Sequence, residues 1–385
     1  MTRVIAGRRV PPGTDAQINL KVSETATHRP ASIPITVVQG VGDGPVLSLT
    51  GAVHGDEING IAIVRRILDI VEPQTLRGTL VGVPVVNRFG FSSQTRYLPD
   101  RRDLNRFFPG DPDGSMASRI AHKLFDKVVA RSDFLIDLHT AAAGQQNLCH
   151  VRGDADDPRA KELMKAFGTP VMLHGAGPRG SLRRAAMEAG IPSIIYEAGE
   201  PDRFQEHVVE IGAEGVLRVM KHLGMIDRRL RKPDVQVLVR RTEWVRADHG
   251  GLLYMEVEPG DLVRTRQRLA TLHDPFGRRV DGIYAHHSGV VLSTATTPLV
   301  NPGTAVVHIG HLHKTFQRAQ KYVRDGGDMG HVNWLEAKKA QIKKRKRMAK
   351  KAPRKAPAKP RAAGAAKRRS VEEPDRPSPD PEGDA

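Results

Sequence analysis

Short apolar runs alternate with amphipathic segments from residue 46 to residue 222, and this alternation limits the possible folds most strongly. The runs predict buried strands at VLSLTG (46–51), LVGVPVVN (80–87), FLIDLH (134–139) and PSIIYE (192–197). The segments between them predict helices near 57–71, 115–130, 157–167, 181–190 and 204–222. INLKVS and PITVVQ, nearer the start, predict an added antiparallel hairpin. We therefore expect an α/β fold with a mixed sheet covered by helices on both faces.

The pattern changes near Lys232-Pro233. Residues 235–310 show short β segments with turn signals at HGG, EPGD, DPFG, HHSG and NPGT, and no helical periodicity. This stretch resembles the barrel-sandwich fold of biotinyl and lipoyl carrier domains. A carrier needs a lysine to hold its cofactor, but the chain has no lysine between Lys232 and Lys314. We predict a catalytic domain over 1–232 and a small all-β barrel-sandwich module over 233–313 that shapes a neighbouring active site.

The remaining residues divide into a linker or helical segment, 314–337, and a tail, 338–385. Much of the net charge of +17 lies in this tail, because residues 338–369 contain 16 Lys or Arg and no acid. The last 16 residues are acidic. A segment with so few large apolar residues is expected to be disordered. It is either a solubilising tail or a weak, salt-sensitive contact for nucleic acid or another polyanion.

Other bulk features concern the cellular compartment. The single cysteine, Cys149, excludes an intramolecular disulfide and suits a reducing environment. The first residues lack the apolar core of a signal peptide. No apolar run approaches the roughly 18 residues that a membrane span needs. We expect a cytoplasmic protein without a membrane partner.

The motif GAVHGDE (51–57) carries the clearest chemical signal. It places His54 and Glu57 at a turn from a strand into a helix, where both side chains can reach one metal ion. His139 ends another apolar strand, and strand ends at one edge of an α/β sheet share a crevice. Two histidines and a glutamate leave the fourth position of a zinc ion open for water. The alternative is that both histidines are hydrogen-bonded turn residues.

Two further segments contribute candidate residues. The irregular loop RYLPDRRDLNRFFPG (96–110) carries Arg96, Asn105 and Arg106, which could bind a carboxylate or be solvated. Glu197 ends the strand of IIYEAGE, where a carboxylate near an activated water can act as a general base. Glu200 is the competing candidate for that role.

Together, HGDE, TRY…RDLNRFFPG, DLH and a strand ending in EAG resemble the succinylglutamate desuccinylase and aspartoacylase family, relatives of the zinc carboxypeptidases. The resemblance covers about 46–223. It implies one zinc ion per chain, with the ligands His54, Glu57 and His139. It also implies that Glu197 is the general base, that Arg96 polarises the scissile carbonyl, and that Asn105 and Arg106 anchor a substrate carboxylate.

The resemblance leaves some positions open. A further arginine of the family could correspond to Arg183 or Arg184, and Arg183 is our first choice. A tyrosine that contacts substrate in some relatives could correspond to Tyr254 or Tyr284. The implied activity is zinc-dependent hydrolysis of the amide bond of an N-acyl amino acid or a related small carboxylated amide. A carboxypeptidase-like zinc peptidase is the nearest alternative. A polyanion-binding protein with a vestigial metal site is an alternative of another class.

Overall fold

A mixed sheet of 13 strands organises the described part of the chain. The computed structural model describes residues 4–230, 235–313, 315–327 and 329. The strands are β1 (Val4–Ile5), β2 (Arg8–Arg9), β3 (Thr14–Glu24), β4 (Pro30–Gln39), β5 (Gly42–Gly51), β6 (Arg77–Val83), β7 (Phe134–His139), β8 (Gln145–Gly153), β9 (Val171–His174), β10 (Ser193–Gly199), β11 (Val237–Val239), β12 (Thr242–Arg246), β13 (Gly251–Met255), β14 (Leu262–Val263), β15 (Arg268–His273), β16 (Arg279–Tyr284), β17 (Gly289–Ala295), β18 (Leu299–Val300) and β19 (Ala305–His311). The helices are α1 (Asn59–Ile70), α2 (Arg88–Ser92), α3 (Met116–Lys127), α4 (Pro158–Phe167), α5 (Leu182–Glu188), α6 (Glu206–His222) and α7 (Phe316–Arg324).

The central strands of the sheet run in the order β8, β10, β7, β5, β6, β4 and β3. The pairs β10–β7, β7–β5 and β5–β6 are parallel, whereas β8, β4 and β3 join antiparallel to their neighbours in this order. The predicted hairpin is confirmed as the antiparallel pair β3–β4. The mixed α/β sheet expected from the alternating pattern is therefore present.

Alternate residues of the central strands face two different hydrophobic clusters. Leu47 and Leu49 of β5 pack in a cluster with side chains of α1, α4 and α6. Val46, on the same strand, packs in a second cluster with side chains of α3 and α5. Successive residues of a strand point to opposite faces of its sheet. Helices therefore cover both faces, as the continuous apolar runs predict.

The helix predicted from about residue 57 begins instead at Asn59. The residues before it form a turn, in which the Glu57 N–H donates to the His54 carbonyl at 3.2 Å. The spacing of apolar residues does not distinguish this turn from the first turn of a helix, because Ile58 and Ile61 fit the apolar spacing in both cases. His54 and Glu57 thus lie before α1.

Residues 237–311 contain β11–β19 and no helix among the positions the structure describes. Strands β16, β15, β13 and β18 form a four-stranded sheet. Their apolar side chains share a separate cluster with those of β12, β17 and β19. This stretch is not detached from the large sheet, because β17 pairs with β8 and β11 pairs with β9. The predicted boundary at 232–233 and the tail 338–385 lie outside the described residues.

Within the described ranges, no helix has both the length and the apolar character needed to cross a bilayer.

Candidate active site

The turn after β5 positions His54 and Glu57. Ala52 adopts a φ of 47°, a left-handed conformation that is uncommon for a residue with a Cβ atom. Gly55 packs directly against α2, where a Cβ atom would lie 2.0 Å from the carbonyl carbon of Gly90. Only glycine, which has no Cβ atom, allows the turn to lie this close to α2. The turn is thereby held at the end of the strand, with both side chains buried.

His54, Glu57 and His139 form one buried group. The Nδ1 atom of His54 lies 2.6 Å from Glu57 Oε1, and the Nδ1 atom of His139 lies 2.7 Å from Glu57 Oε2. The backbone N–H of Thr140 also donates to Glu57 Oε2, at 3.0 Å. One ligand atom from each of the three residues lies within 4.8 Å of the others. The fold thus brings His139, 82 positions beyond Glu57 in the sequence, to the turn that carries His54 and Glu57, and the three surround one point that can accept a metal ion.

The second ring nitrogen of each histidine contacts another carboxylate. His139 Nε2 lies 2.8 Å from Asp137 Oδ2, and His54 Nε2 lies 3.1 Å from Asp103 Oδ1. Asp137 is itself held by the Thr50 hydroxyl, which donates to Oδ1 at 2.6 Å. Histidines that bind metals usually contact a carboxylate or carbonyl through the nitrogen that does not bind. The donor set and its supporting carboxylates therefore fit a zinc ion.

The group is strongly coupled electrostatically. Burial lowers the pKa of His139, but Asp137 and Glu57 outweigh burial and raise this pKa well above its usual value. Burial raises the pKa of Glu57, but His54 and His139 outweigh it and lower this pKa far below its usual range. Glu57 is consequently ionised, as a metal ligand must be.

Arg96 borders this group. Its guanidinium donates to Glu57 Oε1 and to Asp103 Oδ2, each at 3.0 Å. Burial lowers the pKa of Arg96, but Glu57 and Asp103 outweigh it and raise this pKa above its usual value. The structure therefore places a permanent positive charge beside the three candidate ligands.

Glu197 lies in the strand next to His139. In the parallel pair β10–β7, Glu197 and His139 are register partners. Glu197 is 12 % exposed and accepts hydrogen bonds from Asn147 Nδ2 at 3.0 Å and Arg152 Nη1 at 3.2 Å. Glu200 lies after the strand and pairs with Arg203 at 3.0 Å. Of the two candidate bases, Glu197 is the one in register with a candidate ligand.

Asn105 and Arg106 lie in a short 3₁₀ turn, Leu104–Arg106, in which the backbone N–H of Asn105 donates to Asp103 Oδ1 at 2.9 Å. Asn105 is buried, and its Oδ1 accepts from the backbone N–H of Leu182 at 2.8 Å. Its amide nitrogen is thus the atom it can offer to a ligand. The Arg106 side chain is 47 % exposed and donates to the Asn105 carbonyl at 2.7 Å.

The structure separates Arg183 from Arg184. Arg183 is buried and donates to the Gly175 carbonyl at 2.6 Å, while its Nε atom has no hydrogen-bond partner among the described residues. Burial, followed by the neighbouring charge of Arg152, lowers the pKa of Arg183 to about 10. Arg184 instead pairs with Glu188 at 2.8 Å. Arg183 therefore faces the interior of the protein, whereas Arg184 lies in a surface ion pair.

The two candidate tyrosines lie on the four-stranded sheet and are exposed. Tyr254, on β13, contacts the ring of His273, and Tyr284, on β16, lies against Gly282. No hydrogen bond or ring contact joins either tyrosine to the His54–Glu57–His139 group in the described part of the chain.

Sequence reasoning missed four residues of this site: Asp103, Asp137, Asn147 and Arg152. A signal for Asp137 was present, since it precedes His139 by two positions on one strand and must share its face. Asp103 stands within the RDLN motif. No local pattern marks Asn147 or Arg152, because they reach Glu197 through the pairing of β8 with β10.

Comparisons with known proteins identify a family and several relatives. Residues 43–223 match the family model described as the succinylglutamate desuccinylase/aspartoacylase catalytic domain. The chain is 30% identical over 294 residues to N-alpha-acetyl-L-2,4-diaminobutyric acid deacetylase from Halomonas elongata, covering 73% of this chain and 86% of that protein.

Solved structures show the same fold. A succinylglutamate desuccinylase/aspartoacylase from Rhodobacter sphaeroides is 28% identical, with a TM-score of 0.70, and the match covers 78% of this chain and 96% of that one. The product-bound ectoine utilization protein EutE (DoeB) from Ruegeria pomeroyi is 25% identical, with a TM-score of 0.72 and coverage of 79% and 98%. The four motifs, the fold and these matches together show that the chain belongs to the succinylglutamate desuccinylase/aspartoacylase family.

Proposed function

We propose that this protein is a zinc-dependent amidohydrolase that removes the acyl group from an N-acyl amino acid or a related small carboxylated amide. The buried group of His54, Glu57 and His139, with a carboxylate behind each histidine, is the observation that carries the proposal. Its relatives support the reaction class, since one is named as a deacetylase of an N-acetylated amino acid.

The three grouped side chains would hold one zinc ion per chain. When bound, zinc would supply Lewis acidity, which polarises a carbonyl and makes water a stronger nucleophile at neutral pH. Asp103 and Asp137 would orient the two histidines. These donors would favour zinc over magnesium or calcium, because imidazole nitrogen suits transition metals better.

Glu197 acts as the general base in this proposal. Its carboxylate accepts a proton from the attacking water and returns it to the leaving amine. Asn147 and Arg152 hold the carboxylate through one oxygen each, which fixes its orientation. Arg96 stabilises the negative charge that develops on the acyl oxygen, an effect worth a few kcal/mol for one well-placed donor.

The carboxylate of the substrate would be bound by Asn105, Arg106 and Arg183. Asn105 offers its amide nitrogen, and Arg106 is exposed enough to receive a ligand from solvent. Arg183 has a buried Nε–H without a partner in the described ranges, and a carboxylate oxygen would satisfy it. Each arginine presents the planar fork that pairs with a carboxylate.

We also propose that residues 233–313 form a module that shapes this site. Ser293 of β17 is the register partner of Asn147, the residue that donates to Glu197. Strand β17 of this module is therefore separated from β10, the strand of the proposed base, by a single strand, β8. A shift of β17 would move Asn147 and so would alter the position of the Glu197 carboxylate.

One experiment tests the proposal directly. Purified wild-type protein and the His139→Ala variant are compared for zinc content and for hydrolysis of a panel of N-acyl amino acids. We expect the variant to lose about one zinc ion per chain together with hydrolysis, because one of the three protein ligands is removed. His249→Ala, an exposed histidine, is the control. Hydrolysis of hippuryl-type peptides without hydrolysis of N-acyl amino acids would identify a peptidase instead.

A further inference from the structure

Three histidines surround Glu243 in residues 237–311, which follow all residues of the candidate active site in the sequence. Glu243 Oε2 lies 3.2 Å from His287 Nδ1, 3.7 Å from His286 Nδ1 and 4.0 Å from His311 Nε2. The ligand atoms of Glu243, His287 and His311 all lie within 4.8 Å of one another. Glu243 is the carboxylate of this group, and it precedes the three histidines by more than 40 residues in the sequence.

The sheet holds these side chains in place. Glu243 lies on β12, which pairs antiparallel with β19, the strand that ends at His311. The backbone N–H of His311 donates to the Arg241 carbonyl at 2.9 Å, and Gly289 of β17 is the register partner of His311. His286 and His287 thus lie in the turn that leads into β17. Groups fixed on strand ends lose little freedom when they bind an ion.

Gly289 permits this arrangement. A Cβ atom at this position would lie 2.1 Å from the Gly310 carbonyl oxygen, so a larger residue would push β17 away from β19. The close approach of the two strands brings the rings of His287 and His311 to 4.3 Å between centroids.

Two polar atoms of the cluster are unsatisfied. Glu243 Oε1 and His311 Nε2 are buried and have no hydrogen-bond partner among the residues that the structure describes. The side chains themselves are 22% and 11% exposed, so the cluster lies just below the surface and remains open to small ions. Buried polar atoms without partners destabilise a fold. A cation at the centre of the cluster would satisfy both.

We propose that Glu243, His287 and His311 bind a divalent transition-metal ion, with His286 lying next to the site. Two imidazole nitrogens with one carboxylate favour zinc and its neighbours, whereas magnesium and calcium require oxygen ligands. The ion would join β12, β19 and the turn before β17. This inference does not depend on the proposed function, since none of its ligands belongs to the His54 group.

A third group of this kind, Asp154, Asp156 and His174, is a weaker candidate. Asp156 is 66% exposed and already pairs with Arg240 at 3.0 Å. Its charge is therefore compensated without an ion.

The test measures zinc bound by full-length protein after removal of metals and equilibrium dialysis against zinc. Four proteins are compared: wild type, His139→Ala, the double variant His287→Ala/His311→Ala, and the combination of all three substitutions. We expect each of the two sites to account for about one zinc ion, so that the first two variants each lose one and the combination loses both. Exposed His249→Ala should bind as much zinc as the wild type.

A second readout is independent of stoichiometry. Zinc should raise the melting temperature of His139→Ala through the remaining site, because an ion that binds only the native state stabilises it. Adding Glu243→Gln, which keeps the shape of the side chain, should abolish that rise. Equal zinc binding by His139→Ala with and without the His287 and His311 substitutions would overturn the proposal, as would displacement of this zinc by excess magnesium. Loss of hydrolysis in His139→Ala alone reports on the proposed function and not on this site.

Discussion

Glu197 and His139 are register partners at the ends of two neighbouring parallel strands, β10 and β7. Residues paired in this way point to the same face of a sheet, and their Cα atoms lie one strand spacing apart, about 4.8 Å. The proposed base and one proposed metal ligand are therefore neighbours by virtue of the sheet itself. Their relative position does not rely on a flexible loop.

Replacing Glu197 tests its role as the base. Glu197→Gln keeps the shape of the side chain but cannot accept a proton, so kcat should fall by roughly 10² to 10⁴. Zinc content should stay unchanged, because Glu197 is not among the grouped ligands. Glu200→Gln is the matched control, since Glu200 pairs with Arg203. A severe effect of Glu200→Gln with a mild effect of Glu197→Gln would contradict the assignment.

Asp137→Asn tests whether the carboxylate that contacts His139 Nε2 contributes to zinc affinity. The Asn side chain keeps one oxygen but loses the charge that holds the ring, so zinc affinity should fall by about 10- to 100-fold. Competition with a chromophoric chelator measures the affinity. Asp248→Asn, in an exposed loop, should leave it unchanged. Unaltered affinity in Asp137→Asn would show that His139 is held by its surroundings without the help of this carboxylate.

Capping the substrate tests the carboxylate clamp. Methyl esters or amides of the substrate carboxylate should lower kcat/KM much more than removal of one methylene from the acyl chain. A guanidinium without its anion loses a charge-assisted contact and keeps its desolvation cost, whereas a methylene is worth only about 1–3 kcal/mol. Arg106→Lys should be nearly as harmful as Arg106→Ala, because an ammonium lacks the planar fork. Equal efficiency on free and capped substrates would reject the clamp.

Arg183 and Arg184 form a matched pair for the second arginine. Arg183→Lys should raise KM by about tenfold or more, since each charge-assisted contact to a carboxylate is worth about 1.5–3 kcal/mol. Arg184→Lys should have little effect, because its partner is Glu188 at the surface. Steady-state kinetics of the two variants on one substrate make the comparison. The opposite order would assign the role to Arg184.

His150 should make the stability of the protein depend on pH. It is buried next to Glu197 in the β8–β10 pair, and burial, with the charge of Arg152, lowers its pKa to about 3. The folded state thus keeps His150 neutral, while the unfolded chain binds a proton below about pH 6.5. The unfolded state is favoured as the pH falls, so this residue should cost about 2 kcal/mol of stability between pH 6.5 and pH 5.

The test is denaturant unfolding across that range. His150→Asn keeps a donor for the Leu148 carbonyl, which His150 Nδ1 contacts at 2.7 Å, and removes the titration. The variant should show a shallower loss of stability with falling pH, whereas His249→Asn should follow the wild type. Parallel profiles for wild type and His150→Asn would mean that His150 is protonated in the folded state as well.

The sequence was sufficient to predict the features that depend on residues close to one another along the chain. Apolar runs and helical periodicity predicted the strands and helices of the α/β sheet, because the side chains that face a core recur at fixed spacing. The same reasoning located His54, Glu57 and His139, since strand ends and the turns after them are where polar residues interrupt apolar runs. The four motifs in their order also indicated the family.

Only the tertiary structure decided which side chains meet. The carboxylate of Asp103 reaches His54 across 49 positions, and Glu243 reaches His287 across 44. Such pairs depend on strand register and on the approach of loops. No periodicity along the chain encodes them. The distinction between Arg183 and Arg184 has the same origin, because adjacent helical residues point in different directions and the neighbouring elements determine which direction is buried.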